Sequence, residues 1–412
     1  MTSQSVLRVL PFLACLIACS IINLFYFPPT PVFPDEHRFL ASAARLAMTG
    51  QFWVGADRAW EMPGTALFFA PAVWLFGPDA AVVPIRMAQS ILLIAQSAMA
   101  ATIARRIFGR GAVDIIATTL VALYPFFLFY QGLLLSETLF NTFLIAAVAA
   151  LYWWRERGLH IDAALVVTCL CFAAATYTKA TLTILPPLLI AATAWTSGKR
   201  LQKALVVLLA ASCLYGAFVS PWWIRNATVL GAFVPFTTSA VQNLYIGNNP
   251  NNPNGGIDWA SDVDPAIAKM LLAIPDEMEK QRAFAKIAMD YIKNNPTVFL
   301  RVAGKKFIRF WNFIPNASEF KSGLYAVVSA ASFGPILLLA LACAVRWRRR
   351  WRFFVPIYLL VGYFTLIHVV TIASLRYRLP IEPFLIVMAA GMLCELFDML
   401  RTRHQHNIRM SA

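Results

Sequence analysis

The residues best suited to chemistry come early in the chain. Asp35, Glu36 and His37 stand in a row behind prolines at positions 28, 29, 31 and 34. Proline fixes the backbone φ, so the approach is stiff and two adjacent carboxylates are held close to the apolar run that precedes them. A carboxylate in such a place can take a proton from an incoming hydroxyl or help to hold a divalent cation. The plainer alternative makes Asp35 the N-cap of a helix over 36–48. Glu137 is a second candidate, at the start of an otherwise apolar segment, Leu135-Ser136-Glu137-Thr138-Leu139-Phe140. Ionisable groups inside a membrane are expensive and mark function by default. Against that, an acid in a first helical turn complements the helix dipole.

Cations accompany these acids. Lys179 lies between two short apolar segments in Thr176-Tyr177-Thr178-Lys179-Ala180, and Arg225 in Pro221-Trp222-Trp223-Ile224-Arg225-Asn226. Arg376 and Arg378 share Ser374-Leu375-Arg376-Tyr377-Arg378-Leu379-Pro380. All four fall at expected helix ends on one side of the membrane, and cations at one level suit a phosphate bound among helices. The alternative for each is snorkelling to lipid headgroups, a common fate of Lys and Arg near helix ends. His368, about one turn before the end of its apolar run, either joins the cluster or satisfies a hydrogen bond between helices.

The elements that must position these residues are apolar. Of 412 residues, 59% are apolar and 13% charged, against about 45–50% and 25% in a soluble domain. An ordinary soluble enzyme is excluded. The formal charge, 35 basic minus 20 acidic residues or +15, reads here as a topology marker and not as a nucleic-acid footprint. The seven cysteines all fall in apolar stretches and form neither a disulfide framework nor a zinc spacing.

Runs of spanning length, about 17–25 residues, occur at 9–27, 84–104, 113–130, 133–153, 161–177, 180–195, 204–222, 324–345, 353–372 and 381–400. The pair 161–177 and 180–195 is short for two spans. The stretch 62–77, opened by Met62-Pro63-Gly64, reads as interfacial. Basic turns hold Arg105-Arg106 with Arg110, Arg155 with Arg157, Lys199-Arg200 with Lys203, and the run 346–352, and the tail adds Arg401, Arg403 and Arg409. The positive-inside rule puts these turns and both chain ends in the cytoplasm.

The expected fold is therefore an all-α polytopic membrane protein of about ten transmembrane helices, with interfacial helices and a mostly helical outer loop domain. The expected organisation is a membrane module over 1–222, whose first outer loop 28–83 carries the acidic motif, an outer domain over 223–323, and C-terminal helices with a cytoplasmic tail over 324–412. Within the outer domain, 247–256 is loop-prone. A helix is expected over 276–293 with Phe284, Ile287, Ala288 and Tyr291 on one face. After Asn295-Pro296 a further helix sets Phe299, Ala303, Phe307, Phe310 and Ile314 along one stripe and Arg301, Lys305 and Arg309 along another. That helix lies on the membrane surface or covers the outer domain.

Taken in order, these pieces resemble the polytopic GT-C glycosyltransferases, in particular the protein-mannosyltransferase-like group that includes the lipid A aminoarabinose transferase and the lipopolysaccharide galacturonosyltransferases. The resemblance runs over nearly the whole chain and is carried by Asp35-Glu36, Glu61-Met62-Pro63-Gly64, Arg86, Leu135-Ser136-Glu137-Thr138, Lys179, the Pro221–Asn226 element and Arg376-Tyr377-Arg378-Leu379-Pro380. It implies transfer of a sugar from a polyprenyl-phosphate donor to a hydroxyl on the outer face, usually with inversion. It maps the catalytic base to Asp35 with Glu36 beside it, the second acid to Glu137, where many relatives have Asp, and donor-phosphate contacts to Arg376 and Lys179. Arg86 becomes an accessory residue. Some members hold a divalent metal near the two acids, here Asp35 and Glu137, and others need none.

The implied partners are a polyprenyl-phosphate-linked sugar, the lipid bilayer and an envelope glycan, lipid or protein as acceptor, with no nucleic acid. The compact loops favour a bacterial inner membrane with the active site facing the periplasm. Two other classes fit cations and acids among helices: a transporter or flippase of an anionic lipid-linked substrate, and a polysaccharide ligase using a pyrophosphate-linked donor. Many transporters are built from internal repeats, and none is visible here.

Overall fold

The computed structural model describes residues 3–411 apart from 54, 110, 257–261, 317–319 and 321–322. Of the topology markers, Arg110 and the side chains of Arg403 and Arg409 lie outside the described residues.

Helix follows helix, with no strand among the described residues. The membrane-facing part comprises α1 (Ser3–Ile21) running into a π-helical turn (Ile22–Tyr26), α2 (Pro34–Thr49), α3 (Gly64–Ala80), α4 (Val82–Phe108), α5 (Val113–Ala122), α6 (Pro125–Gln131), α7 (Glu137–Glu156), α8 (Ala163–Thr178), α9 (Leu185–Thr196) and α10 (Leu201–Leu230). The segment between α10 and the closing helices contributes α11 (Ser239–Gly247), α12 (Pro265–Leu272), α13 (Glu277–Asn294) and α14 (Pro296–Trp311). The chain closes with α15 (Leu324–Arg346), α16 (Trp351–Val370), a 3-10 turn (Leu375–Tyr377) and α17 (Glu382–Ser411).

Among the described residues, six helices are long and apolar enough to cross a membrane, namely α1 with its π turn, α4, α10, α15, α16 with the turn before it, and α17. A seventh arises if α5 and α6, bent by 49°, count as one. The expected ten are not confirmed among the described residues, for local reasons. Pro125 breaks the run 113–130, because a proline inside a helix removes a hydrogen bond and clashes with the preceding turn. The short pair folds as helices of 16 and 12 residues. The run 133–153 becomes helical only at Glu137, and its first turns carry Glu137, Thr138, Asn141 and Thr142.

Fourteen of the 20 residues of α7 are buried, between α4 and α8, and α17 packs on α15, α5 and α4. The core is built from these helices, with Trp154 among its largest buried side chains. At one end, Arg8 and Arg105 approach Asp114, Arg106 pairs with Glu156, and Arg155 donates to the Arg352 carbonyl, so the basic turns converge.

The acidic motif departs from its capping alternative. The cap of α2 is Phe33, Pro34 takes the first helical position, and Asp35 lies inside the first turn. Gly50, at φ 68°, ends the helix in the left-handed conformation that glycine adopts without strain. α3 packs along α2. It breaks at Gly77 (φ 77°, ψ 161°), with Trp74, Leu75 and Phe76 exposed before the break.

The segment between α10 and α15 is clamped to the loop between α2 and α3. Glu277, the first residue of α13, accepts hydrogen bonds from the Arg58 and Ala59 amides (2.6 and 3.1 Å) and from Thr238 Oγ1 (2.7 Å). Lys280 pairs with Asp57 at 2.6 Å. The helix expected over 276–293 is observed one residue on, capped by the Asp276 side chain, with Phe284 and Ala288 buried. In α14 the expected apolar stripe splits: Ala303 and Phe310 turn inward with Val302 and Lys306, whereas Phe307 stays exposed and Ile314 lies beyond the helix.

Candidate active site

Four charged side chains, far apart in sequence, meet beside a cavity. Asp35 and Glu137 stand in the first turns of α2 and α7, where the positive end of each helix dipole favours a carboxylate. Lys179 follows the last residue of α8 in an extended conformation. Arg376 sits on the 3-10 turn between α16 and α17. Its guanidinium forks between Glu137, which it contacts through both Nε and Nη2, and Asp35 Oδ2, 2.7 Å from Nη1. Lys179 Nζ donates to Glu137 Oε1 at 2.8 Å. Arg38, one turn along α2, donates to the other Asp35 oxygen at 2.8 Å and to Glu61 Oε2 at 3.3 Å.

The surrounding chain is arranged to hold this cluster. Gln89 Nε2 donates to the carbonyls of Gln131 and Leu133, each at 2.8 Å. Gln96 donates to the Thr138 carbonyl and to Thr142 Oγ1. Gln89 thus fixes the buried loop from which Glu137 emerges, and Gln96 fixes the first turns of α7. At Gly64 an added Cβ would stand 2.6 Å from the Tyr177 carbonyl oxygen, so the start of α3 lies directly on the end of α8, just before Lys179.

The electrostatics of the cluster are uneven. Burial raises the Asp35 carboxyl, but the Arg376 and Arg38 guanidiniums outweigh it and hold the group below the usual range. For Glu61 burial wins over Arg38 and pushes the carboxyl up to about 7.

Five of the residues singled out from sequence lie elsewhere. Glu36 is fully buried and structural: its carboxylate accepts from the amides of Val32, Phe33 and Leu134, each at 2.8 Å, tying the proline loop to the loop before α7. Arg86 is buried against the carbonyls of Pro28 and Thr30 and the ring of Phe27, where it secures the same loop. Arg225 reaches the carbonyls of Phe52 and Arg58 and lies over Trp222. Arg378 is buried in an ion pair with Glu382 at 2.6 Å. His368 donates from Nδ1 to the Ile372 carbonyl (3.1 Å) and stacks 4.5 Å from Tyr377, on the turn that carries Arg376.

The level of four cations expected from helix ends is thus two, Lys179 and Arg376. Arg38, with no role in the sequence reading, joins them. Its signal was present in its spacing of three from Asp35, which puts both on one face of α2.

Asp35 and Arg376 border a cavity of about 650 Å³. The remaining wall is mainly apolar and aromatic, with Ile22, Tyr26, Phe129, Tyr130, Leu324 and Val328 among its residues. The cavity therefore offers an apolar channel ending on a carboxylate and a guanidinium. Both oxygens of Asp35 and both of Glu137 already face cationic nitrogens. Among the described residues no three His, Cys, Asp or Glu side chains gather as a ligand set. As arranged, this donor set does not fit a divalent metal, which needs free carboxylate oxygens in number.

No family model matches the sequence, and no curated protein matches it. Solved structures do. The oligosaccharyltransferase AglB from Archaeoglobus fulgidus, in complex with an inhibitory peptide and a dolichol-phosphate, superposes with a TM-score of 0.59 at 12% identity, over 98% of this chain and 52% of that one. Its apo form gives 0.59 at 11% identity with the same coverage. ArnT from Cupriavidus metallidurans bound to undecaprenyl phosphate gives a TM-score of 0.46 at 15% identity, over 95% of this chain and 77% of that one. The chain spans about half the length of the oligosaccharyltransferase structures it matches. Helix order and shape, preserved where sequence identity has almost vanished, give this chain the GT-C fold.

Proposed function

We propose that the protein is a membrane glycosyltransferase that moves a sugar from a polyprenyl-phosphate donor to a hydroxyl of an envelope glycan, lipid or protein, on the membrane face opposite the basic turns. The observation that carries this reading is the apolar cavity ending on Asp35 and Arg376. A polyprenyl chain is soluble only in an apolar environment, and its phosphate needs a cation at the end of that environment. The oligosaccharyltransferase that this chain resembles in fold was solved with a dolichol-phosphate, a lipid of this class.

The chemistry follows from the charges. The acceptor oxygen attacks the anomeric carbon from the side opposite the phosphate, which inverts that centre. The bond between that carbon and the phosphate oxygen breaks, and its electron pair leaves with the phosphate, which gains one negative charge. Arg376, with Lys179 behind it on Glu137, supplies fixed positive charge where the phosphate charge grows. Asp35 takes the hydroxyl proton as the new bond forms. Glu137 is not among the residues lining that cavity and acts by orienting Arg376 and Lys179. Three protein cations, Arg38, Arg376 and Lys179, do here the charge neutralisation that a divalent metal would otherwise supply.

Mass spectrometry of envelope lipids and glycans tests this, using cells that lack the protein and are complemented with wild type or Asp35→Asn. The substitution removes a charge and little volume, and transfer should fall by about 10²–10⁴. A polyprenyl-phosphate sugar should then accumulate in both the deficient and the Asp35→Asn cells while one sugar mass disappears from the envelope. A wild-type profile with Asp35→Asn would remove the base assignment and make transport of a lipid-linked substrate the leading reading.

A further inference from the structure

Asp35 makes an unusual base, since a guanidinium sits on each of its oxygens, Arg38 on one and Arg376 on the other. Each must loosen for Asp35 to accept a proton. Arg376 is fixed by its second carboxylate, Glu137. Arg38 also has a second carboxylate, Glu61, which the transfer chemistry above leaves unused. Glu61 is largely buried: one oxygen receives Arg38 Nε at 3.3 Å and the other, Oε1, has no hydrogen-bond partner. The charged groups acting on it are Arg38 and Asp35, both of α2. Glu61 lies just before Gly64, whose close approach to the Tyr177 carbonyl pins this loop beside the Lys179 turn.

We propose that Glu61 is a positioning residue that competes with Asp35 for the Arg38 guanidinium and so sets how freely Asp35 accepts a proton. The proposal rests on the transferase reading. When Glu61 carries its charge, Arg38 is shared and its hold on Asp35 weakens. When Glu61 is protonated, Arg38 belongs to Asp35 alone, whose lone pairs are then less available. Burial leaves the Glu61 carboxyl titrating at about 7, so both states are populated near neutral pH. The rate of transfer should rise as pH passes through that value.

Two measurements on the full-length protein separate this from a merely structural role. The first is consumption of the endogenous polyprenyl-phosphate sugar by membrane vesicles, read by mass spectrometry across pH. Glu61→Gln resembles protonated Glu61 at every pH. It should match wild type near pH 6 and fall about tenfold behind near pH 8, the size of a one-unit change in the strength of the base. Glu61→Asp should restore part of the rise. A deficit of the same size at every pH would make Glu61 structural and overturn the proposal. The second is infrared difference spectroscopy of the purified protein, in which a protonated-carboxyl band should vanish as pH rises through about 7 and be missing from Glu61→Gln. A band that survives Glu61→Gln overturns the assignment without touching the transferase reading. Wild-type vesicles that consume no sugar-lipid at any pH overturn the transferase reading and this role together.

Discussion

Arg376 and Arg378 stand two residues apart at one turn, and the structure uses them in opposite ways. Arg376 is partly open to the cavity, with 22% of its side chain exposed, and shares itself between two carboxylates from different helices. Arg378 is fully buried against Glu382, also fully buried, with its remaining contacts to the carbonyls of Phe310 and Asn312 and to the face of Phe333, 3.3 Å away. The pair Asp35 and Glu36 divides the same way. Asp35 keeps a third of its side chain exposed beside the cavity, and Glu36 is buried on three backbone amides. In each pair one residue borders the cavity and its neighbour holds the scaffold. The difference is solvent access: an open charge can exchange partners with a substrate, whereas a buried one must have its partner permanently.

The comparison is tested most severely at Arg376. Arg376→Ala should lower transfer by about 10²–10³, the usual cost of removing a donor that stabilises developing charge. Folded protein should remain in the membrane, because Lys179 keeps Glu137 paired and Arg38 keeps Asp35 paired. Turnover assays alongside extraction yield check both halves, and unchanged donor dependence would return Arg376 to the scaffold.

Arg378→Ala should do the reverse. Leaving Glu382 charged and alone in the core costs about 3–5 kcal/mol. The expected result is a loss of folded protein, with activity falling only in proportion to what remains folded. Replacing Arg378 and Glu382 together by apolar residues should recover most of the yield, since a buried ion pair often contributes little beyond a well-packed apolar pair.

Lys306 gives the smallest and most specific test. It is as buried as Arg378 but has neutral partners, Asn248 Oδ1 at 2.9 Å and the Val370 carbonyl at 3.2 Å. Burial pushes its ammonium down to about 7. The unfolded chain holds that proton up to about pH 10.4, so between about 7 and 10 the unfolded state binds more protons and stability should rise with pH. Below about 7 both states are protonated and the penalty is present in full. Lys306→Met should flatten that rise in unfolding experiments between pH 6 and 9. An unchanged slope would mean that Lys306 pairs with an anion when charged.

Asp35, Glu137, Lys179 and Arg376 were all legible in the sequence as ionisable residues at the ends of apolar runs, and the GT-C resemblance set them in order. Their neighbours were not separable in the same way. Glu36 beside Asp35 and Arg378 beside Arg376 carry the same functional groups, and the structural role of each depends on backbone partners distant in sequence, Leu134 for Glu36 and Phe310 for Arg378. Arg225 and Arg86 likewise turned to carbonyls of the first outer loop, which no spacing rule reaches. Ten spans are not confirmed, because apolar composition does not record where Pro125 bends a run or where 133–136 stays out of the helix.

The sequence by itself determined that this chain is helical and suited to a membrane, and it singled out nine ionisable residues, of which four meet in one cluster. Those follow from composition and from the cost of placing charge in hydrocarbon, both additive along the chain. Tertiary structure alone decided that Arg376 bridges Asp35 and Glu137, that Arg38 links Asp35 to Glu61, and that the cavity wall joins the π turn, α6 and α15. Such pairings depend on distances of a few ångströms between residues up to 341 positions apart, and those distances are set by how the helices pack.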